Sequence, residues 1–162
     1  MSPRVPSRPD GLARSDPFAG ALGFVQLLWQ INHSLQAASK RMERALGITG
    51  PQRLVVRVLD ASPGMTPGHV AQLLHLDPGT VTGIVQRLRR AGLVRRAADP
   101  HDGRRYLLAL TRKGKRLAAR KADTIESRAE AALATLAPKD AQAARRALVA
   151  LASALAASDE AG

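Results

Sequence analysis

The longest regular pattern in the chain is an apolar stripe within residues 17–46. Its positions alternate by three and four residues, the spacing of a helix face packed on other helices: Phe18, Ala21, Val25, Leu28, Asn32, Leu35, Ser39, Met42 and Leu46. At about 1.5 Å per residue, such a helix exceeds roughly 40 Å, which is long for a compact domain. Phe24, Trp29 and Ile31 lie off the stripe. We therefore expect more than one covered face, and a helix that crosses between subunits.

Three shorter helices follow. Thr49-Gly50-Pro51 opens the first, whose inward residues are predicted to be Leu54, Val55, Val58 and Leu59, and Ser62-Pro63-Gly64 ends it. Thr66-Pro67 and Asp77-Pro78 each join a capping side chain to a proline suited to a first helical turn. The helix after Thr66 is predicted to bury Val70, Leu73 and Leu74, and helix 79–91 to bury Val81, Ile84, Val85 and Leu88. Two short helices joined by about four residues predict a helix-turn-helix, with His75 in the turn where glycine is more usual.

After Gly92 the spacing of apolar residues changes from the helical period to alternation with every second residue, as in a strand. Val94 leads into Arg95 and Arg96, and further on Tyr106, Leu108 and Leu110 alternate with Leu107 and Ala109. The intervening Asp99-Pro100-His101-Asp102-Gly103 is rich in turn-forming residues. This pattern predicts a two-stranded hairpin with a tight, charged tip.

Two final helices complete the predicted order. Thr111 caps one expected to reach about Leu136, and Pro138 starts the last, with Leu148, Leu151 and Leu155 on its seam. The predicted fold class is mainly α with a small β-hairpin wing, that is, a winged helix-turn-helix plus a helical dimerisation region. The predicted divisions are a disordered tail (1–16), a dimerisation helix (17–46), the winged helix-turn-helix (47–112) and C-terminal dimerisation helices (113–158).

Charge is concentrated in one part of the chain. The 162 residues carry a formal charge of +12, and the pI is about 11.5. Residues 85–121 hold thirteen Arg and Lys against two Asp, so this segment carries +11 and the rest sums to +1. A solvated face is one explanation, but charge focused in this way is what a phosphate-binding surface requires.

Other classes of function are disfavoured. The chain has no cysteine, which excludes disulfides and thiol sensing, and no apolar run reaches the roughly 20 residues of a membrane span. His33, His69, His75 and His101 are scattered, without the i, i+4 pairing of a helical metal site. Without a phosphate-binding glycine loop or a nucleophile elbow, no enzyme, cofactor or metal is expected. A bacterial cytoplasmic, nucleoid-associated location is the simplest expectation.

The segment 88–114 closely resembles the signature of the MarR (multiple-antibiotic-resistance regulator) family. The matching residues are Gly92, Leu93, Val94, Arg96, Asp99, Pro100, Asp102, Arg104, Leu108, Leu110, Thr111 and Gly114. The stretches 46–52 and 65–82 resemble the same family. The resemblance implies a homodimer with interleaved terminal helices and a pseudo-palindromic operator in double-stranded DNA. It also implies repression that a small aromatic or anionic ligand often relieves.

The helix 79–91 is then expected to enter the major groove by its N-terminus. Thr80 and Thr82 are candidates for base or phosphate contacts, with helix capping as the alternative role, and Gln86 could pair bidentately with adenine. Arg87 and Arg90 are expected to bind phosphates. Gly83 stands where the family often carries a long polar or basic side chain, which suggests a close backbone approach instead.

Further candidates lie in the hairpin and the first helix. Arg104 matches the family's minor-groove arginine, with Asp102 holding it in register, and Arg96 and Arg105 flank the tip; a plain turn-stabilising ion pair is the alternative. Trp29 and His33, one turn apart, are the only candidates for a ligand pocket, although a core aromatic beside a helix-face histidine is the favoured explanation.

The predicted function is a sequence-specific DNA-binding transcriptional regulator, in the form of a ligand-responsive repressor that acts as a homodimer. One alternative is a nonspecific basic protein that coats DNA or RNA. Another is a winged-helix protein-interaction module that does not bind DNA, against which the excess positive charge argues.

Overall fold

The computed structural model describes residues 20–100, 102 and 105–156. Within them, seven α-helices and two β-strands follow in the order α1 (Ala21–Leu46), α2 (Gly50–Ala61), α3 (Pro67–Leu74), α4 (Pro78–Arg90), β1 (Val94–Ala98), β2 (Tyr106–Leu110), α5 (Arg112–Ala119), α6 (Ile125–Leu133) and α7 (Pro138–Ala156). The mainly α fold with a small hairpin is confirmed. The predicted tail 1–16 and the first residues of the predicted first helix lie outside the described residues. The predicted domain division stays a prediction.

The core is built mainly from α2, α3, α4 and the hairpin, with contributions from α5 and from the residues before α2 and β1. Its members are Ile48, Val55, Val56, Leu59, Val70, Ala71, Val81, Ile84, Val85, Leu88, Leu93, Val94, Leu108, Leu110 and Ala118. All four residues predicted to be buried on α4 are buried. The predictions for Leu54 and Leu73 are wrong, since their exposed fractions are 48% and 54%. The buried faces of α2 and α3 instead centre on Val55 and Val56 and on Val70 and Ala71.

The turn at His75 and the pairing of the two strands position the helix-turn-helix and the hairpin. His75 ends α3 in the left-handed conformation, with φ 50° and ψ 45°, so it occupies the turn where the sequence predicted it. The hairpin is antiparallel, pairing Val94 with Leu110 and Ala98 with Tyr106. The Leu108 N–H also donates to the Met65 carbonyl at 2.8 Å, which fastens the hairpin to the segment before α3.

The prediction of one helix from Thr111 to about Leu136 is wrong, because α5 ends at Ala119 and α6 begins at Ile125. Arg53 of α2 is the physical reason. Its guanidinium, 2% exposed as a residue, donates to the carbonyls of Leu117, Ala118 and Arg120. The carbonyls lie at the end of α5 and its C-cap residue, where helix carbonyls lack a full set of intrahelical partners; the Leu117 carbonyl also accepts from the Arg120 N–H at 3.1 Å. Arg53 thus caps α5 from another helix.

The same arginine reaches the start of α6. Glu126 Oε1 lies 2.6 Å from the Arg53 guanidinium, and the buried Thr124 caps α6 by accepting from the Ser127 N–H at 3.2 Å. We call Arg53, its three carbonyl partners and Glu126 the Arg53 cluster. It ties α2, in the predicted DNA-binding lobe, to the junction that leads into the last two helices.

The terminal helices expose much of their apolar surface. Only Met42 of α1 is buried, and α6 and α7 bury no residue against the described part of the chain. The exposed large apolar residues on these helices and the loop that joins α6 and α7 include Leu22, Phe24, Val25, Leu27, Trp29, Ile31, Leu35, Leu133, Leu136, Leu148, Val149 and Leu155. Surfaces of this kind mark interfaces.

The Arg53 cluster should dominate the stability of this fold. Replacing Arg53 with alanine is expected to lower the free energy of unfolding by about 3–5 kcal/mol, because carbonyls and a carboxylate lose their donor. Urea titration followed by circular dichroism measures this change. Arg57→Ala is the graded comparison: Arg57 lies one turn along α2 and reaches the Ala118 carbonyl at 3.3 Å and Glu126 at 3.8 Å. Its side chain is 46% exposed, so a loss of only about 0–1 kcal/mol is expected. Equal losses for the two variants would contradict the account.

Candidate nucleic-acid interface

The start of α4 is fixed by Asp77 rather than by a threonine. Asp77 Oδ1 accepts from the Thr80 N–H at 3.0 Å, and Pro78 fills the first helical position. The Thr82 hydroxyl donates to the Pro78 carbonyl at 2.9 Å. The N-terminal turn is therefore capped from outside the helix, and both threonines are exposed.

The outer face of α4 carries the side chains expected to meet DNA. Thr80, Thr82, Gln86, Arg87 and Arg90 are all exposed, opposite the four residues that this helix buries. Gly83 is half-buried, and a Cβ added there would have no neighbour within 4 Å. Packing within the described chain therefore does not require glycine at this position.

A basic groove runs between α4 and the first strand of the hairpin. Its volume is about 850 Å³, and its lining, here called the arginine groove, consists of Gln86, Arg89, Arg90, Val94, Arg95 and Arg96. The structure thus brings together three predicted residues, Gln86, Arg90 and Arg96. It places Arg87 outside the groove.

Arg89 and Arg95 were missed as individual site residues. Spacing was the available signal for Arg89, since positions three and four after Gln86 lie one turn further along the same helix face. No comparable signal marks Arg95, because the direction of a strand side chain depends on how the hairpin packs against α4.

Arg96 is held by an aromatic ring. Its Cζ lies 4.0 Å from the centroid of the Tyr106 ring, and its Nη2 donates to Tyr106 Oη at 3.2 Å. Arg96 remains exposed while Tyr106 is half-buried. The guanidinium therefore keeps N–H donors available at the edge of the groove.

At the tip of the hairpin, Asp102 pairs with Arg105. Asp102 Oδ2 lies 3.2 Å from Arg105 Nε, and the Arg105 N–H donates to the Asp102 carbonyl at 2.9 Å. Arg104, the predicted minor-groove arginine, lies outside the described residues, and so does its expected pairing with Asp102. Backbone and side-chain contacts of Asp102 both shape this turn.

The predicted pocket residues lie away from the most apolar cavity. Trp29 and His33 are exposed on α1, Trp29 to 69%. A cavity of about 480 Å³ lies one turn further along, and its lining comprises Asn32, Leu35, Gln36, Ser39, Gly50, Pro51, Arg53, Leu54, Arg57, Leu76, Ile125 and Glu126. We call it the α1–α2–α6 cavity. Its apolar walls meet the charged Arg53 cluster at one edge.

In residues 20–100, 102 and 105–156, no group of three or more His, Asp or Glu side chains is arranged to hold a metal ion. No helix of that part of the chain has the length and apolar character needed to span a bilayer.

Comparison with known proteins identifies the family. Residues 46–105 match the model described as MarR family. The HTH-type transcriptional repressor Rv2887 of Mycobacterium tuberculosis is 31% identical over 110 residues, which are 68% of this chain and 75% of that protein. The chain belongs to the MarR family of transcriptional regulators. The family and fold predicted from the hairpin signature are thus confirmed.

Two other relatives extend the comparison. The HTH-type transcriptional regulator TtmR of Methylorubrum extorquens is 41% identical over 70 residues, 43% of this MarR-family chain but only 36% of TtmR. The crystal structure of the PcaV transcriptional regulator from Streptomyces coelicolor, in complex with its natural ligand, has a TM-score of 0.64 and 30% identity. That match covers 90% of this chain and 99% of PcaV. These relatives are regulators, not enzymes.

Proposed function

We propose that this MarR-family regulator binds a pseudo-palindromic operator in double-stranded DNA as a homodimer, and represses transcription until a small effector releases it. The observation that carries the DNA-binding part is the arginine groove beside the exposed face of α4. Four arginines surround one glutamine there. Cations fix a protein on the phosphates, and an amide reads a base edge.

The side chains of this surface would make different kinds of contact with DNA. Gln86 can pair bidentately with adenine in the major groove, while the methyl groups of Thr80 and Thr82 can contact thymine. The arginines suited to phosphates are Arg87, Arg89, Arg90 and Arg95.

The hairpin tip, with Arg105 and Arg104, would lie along the adjacent minor groove, whose negative potential attracts arginine. With +11 in residues 85–121 of each chain, binding should depend strongly on salt.

Two substitutions in the arginine groove should give different signatures. Gln86→Ala is expected to cost about 1–3 kcal/mol on a duplex selected from a random library, with little loss on random DNA, because it removes a base contact. Arg95→Ala should weaken both complexes alike and lower the salt slope by about one per chain. Fluorescence anisotropy at several salt concentrations measures both effects. Equal losses on the two duplexes for Gln86→Ala would contradict its assigned role.

Selection of bound duplexes from the random library also distinguishes a sequence-specific regulator from a protein that coats DNA or RNA nonspecifically. A coating protein shares the positive charge but reads no sequence. It would enrich no consensus from the library and would bind selected and random duplexes with equal affinity. A regulator of one operator should enrich an inverted repeat.

The homodimer is supported by the exposed apolar surfaces of α1, α6 and α7. Helix α7 has 19 residues and buries none of them against the described chain. Leucines that stay about half exposed on three helices cost free energy in water, at roughly 25 cal/mol per Å² of apolar surface. A second copy of the chain would cover them.

Leu148→Asp on α7 is expected to shift the protein toward monomers, because it places a charge in the proposed interface. Sedimentation equilibrium should give wild type twice the chain mass of 17.2 kDa, and the variant a mass near that of one chain. Leu73→Asp is the matched control, since Leu73 is an equally exposed leucine on α3, and it should remain dimeric. A monomeric wild type at micromolar concentration would contradict the proposal.

The α1–α2–α6 cavity is the proposed effector site. Its size and largely apolar lining suit a small organic molecule, and Arg57, 46% exposed at its edge, suits an anionic group. PcaV, similar over nearly its whole length, was crystallised with its natural ligand. An occupant would contact both the terminal helices and the DNA-binding lobe, and could therefore alter their arrangement.

A larger side chain in the α1–α2–α6 cavity should prevent an effector from binding and from releasing the protein from DNA. We expect some members of a panel of monocyclic aromatic carboxylates to raise the melting temperature of the wild type and to release it from DNA. Leu54→Trp, which places a large ring in the cavity lining, should abolish both effects while leaving DNA binding in place. Thermal-shift and anisotropy titrations measure them. A hit that acts equally on the variant would contradict this site.

A further inference from the structure

Tyr106 stands apart from the other aromatic residues of the chain. The sequence has four, and the other three, Phe18, Phe24 and Trp29, lie within its first 29 positions. Tyr106 is therefore the one aromatic side chain in the lobe formed by α2, α3, α4 and the hairpin. It is half-buried: one side packs against the core and the rest reaches the surface. Its position is thus not explained by filling the core alone.

The hairpin register places Tyr106 beside Arg96. Arg96 pairs with Leu108, and Ala98 pairs with Tyr106, so Arg96 and Tyr106 are diagonal neighbours on one face of the ribbon, within reach of long side chains. Leu108 between them is fully buried. The stem of Arg96 thus begins at the core, while its charged end lies over the ring at the surface.

Two contacts restrict the Arg96 side chain. The ring attracts the cation through its π face, 4.0 Å from Cζ, and the phenol oxygen accepts from Nη2 at 3.2 Å. A free arginine side chain loses about 2 kcal/mol of rotamer entropy when it is fixed. Tyr106 restricts that freedom before any ligand arrives. One of the five guanidinium N–H donors is occupied, and the others remain.

We propose that Tyr106 is a positioning residue for DNA binding, which holds Arg96 so that its remaining donors meet a backbone phosphate at the edge of the arginine groove. This inference rests on the proposed function, since it assumes that the groove binds DNA. Tyr106 itself need not contact the nucleic acid. Its contribution is to orient Arg96 toward a ligand that the other groove arginines also attract.

A double-mutant cycle in the full-length protein tests this inference. The variants are Tyr106→Leu, Tyr106→Phe, Arg96→Ala and the double variant Tyr106→Leu/Arg96→Ala. The probe is a 30-base-pair random-sequence duplex, because a phosphate contact is independent of sequence. Anisotropy titrations at several salt concentrations give affinity and salt slope, and circular dichroism verifies that each variant is folded.

Tyr106→Leu is expected to weaken binding about two- to fivefold per chain, the equivalent of an exposed cation–π contact, and Tyr106→Phe less, because it keeps the ring. Arg96→Ala should weaken binding and lower the salt slope by about one per chain. In the Arg96→Ala background, Tyr106→Leu should have no further effect. This last result separates positioning from a merely structural role, which would lower affinity in both backgrounds.

Unchanged affinity of folded Tyr106→Leu would overturn the inference, and so would an equal loss with and without Arg96. Both results leave the proposed function standing, because wild type still binds the duplex. If wild type itself bound no duplex in dilute salt, the proposed function would fail and this inference with it.

Discussion

The attachment of the DNA-binding lobe to the terminal helices depends on the buried guanidinium of Arg53. Three carbonyls at the end of α5 and the carboxylate of Glu126 converge on it. If no donor reached the buried carbonyls at the end of α5, their desolvation would destabilise the fold. A buried arginine without acceptors would destabilise it further. Each half of the cluster therefore requires the other, and together they fix where α5 stops and α6 begins.

This constraint matters for function because it lies between the two surfaces that a dimeric regulator needs. The core of α2, α3, α4 and the hairpin holds the recognition face and the arginine groove in one unit. The exposed leucines of α1, α6 and α7 form the surface that we propose a second copy of the chain covers. The Arg53 cluster joins these regions, and the α1–α2–α6 cavity opens beside it. A ligand at that edge would therefore act where the two regions meet.

Local patterns predicted what local chemistry determines. The buried face of α4, the turn at His75 and the alternation in the hairpin follow from periodicity, capping and turn-forming residues, and all agree with the structure. The break after Ala119 could not be predicted, because its cause, Arg53, lies 64 positions before Leu117. On α2 and on α3, apolar residues occupy two neighbouring faces, and periodicity does not decide which face is buried. The prediction that Leu54 and Leu73 are buried is wrong for this reason. The position of Arg95 in the arginine groove likewise depends on how the hairpin packs against α4.

We propose that two copies of the DNA-binding lobe, joined in a homodimer, read two half-sites at a fixed distance. Hydroxyl-radical footprinting of the wild-type protein on its selected duplex measures this most directly. The account predicts two protected windows related by two-fold symmetry, with centres about one helical turn, roughly 10 base pairs, apart. A single window, or protection without a fixed spacing along the duplex, would contradict it.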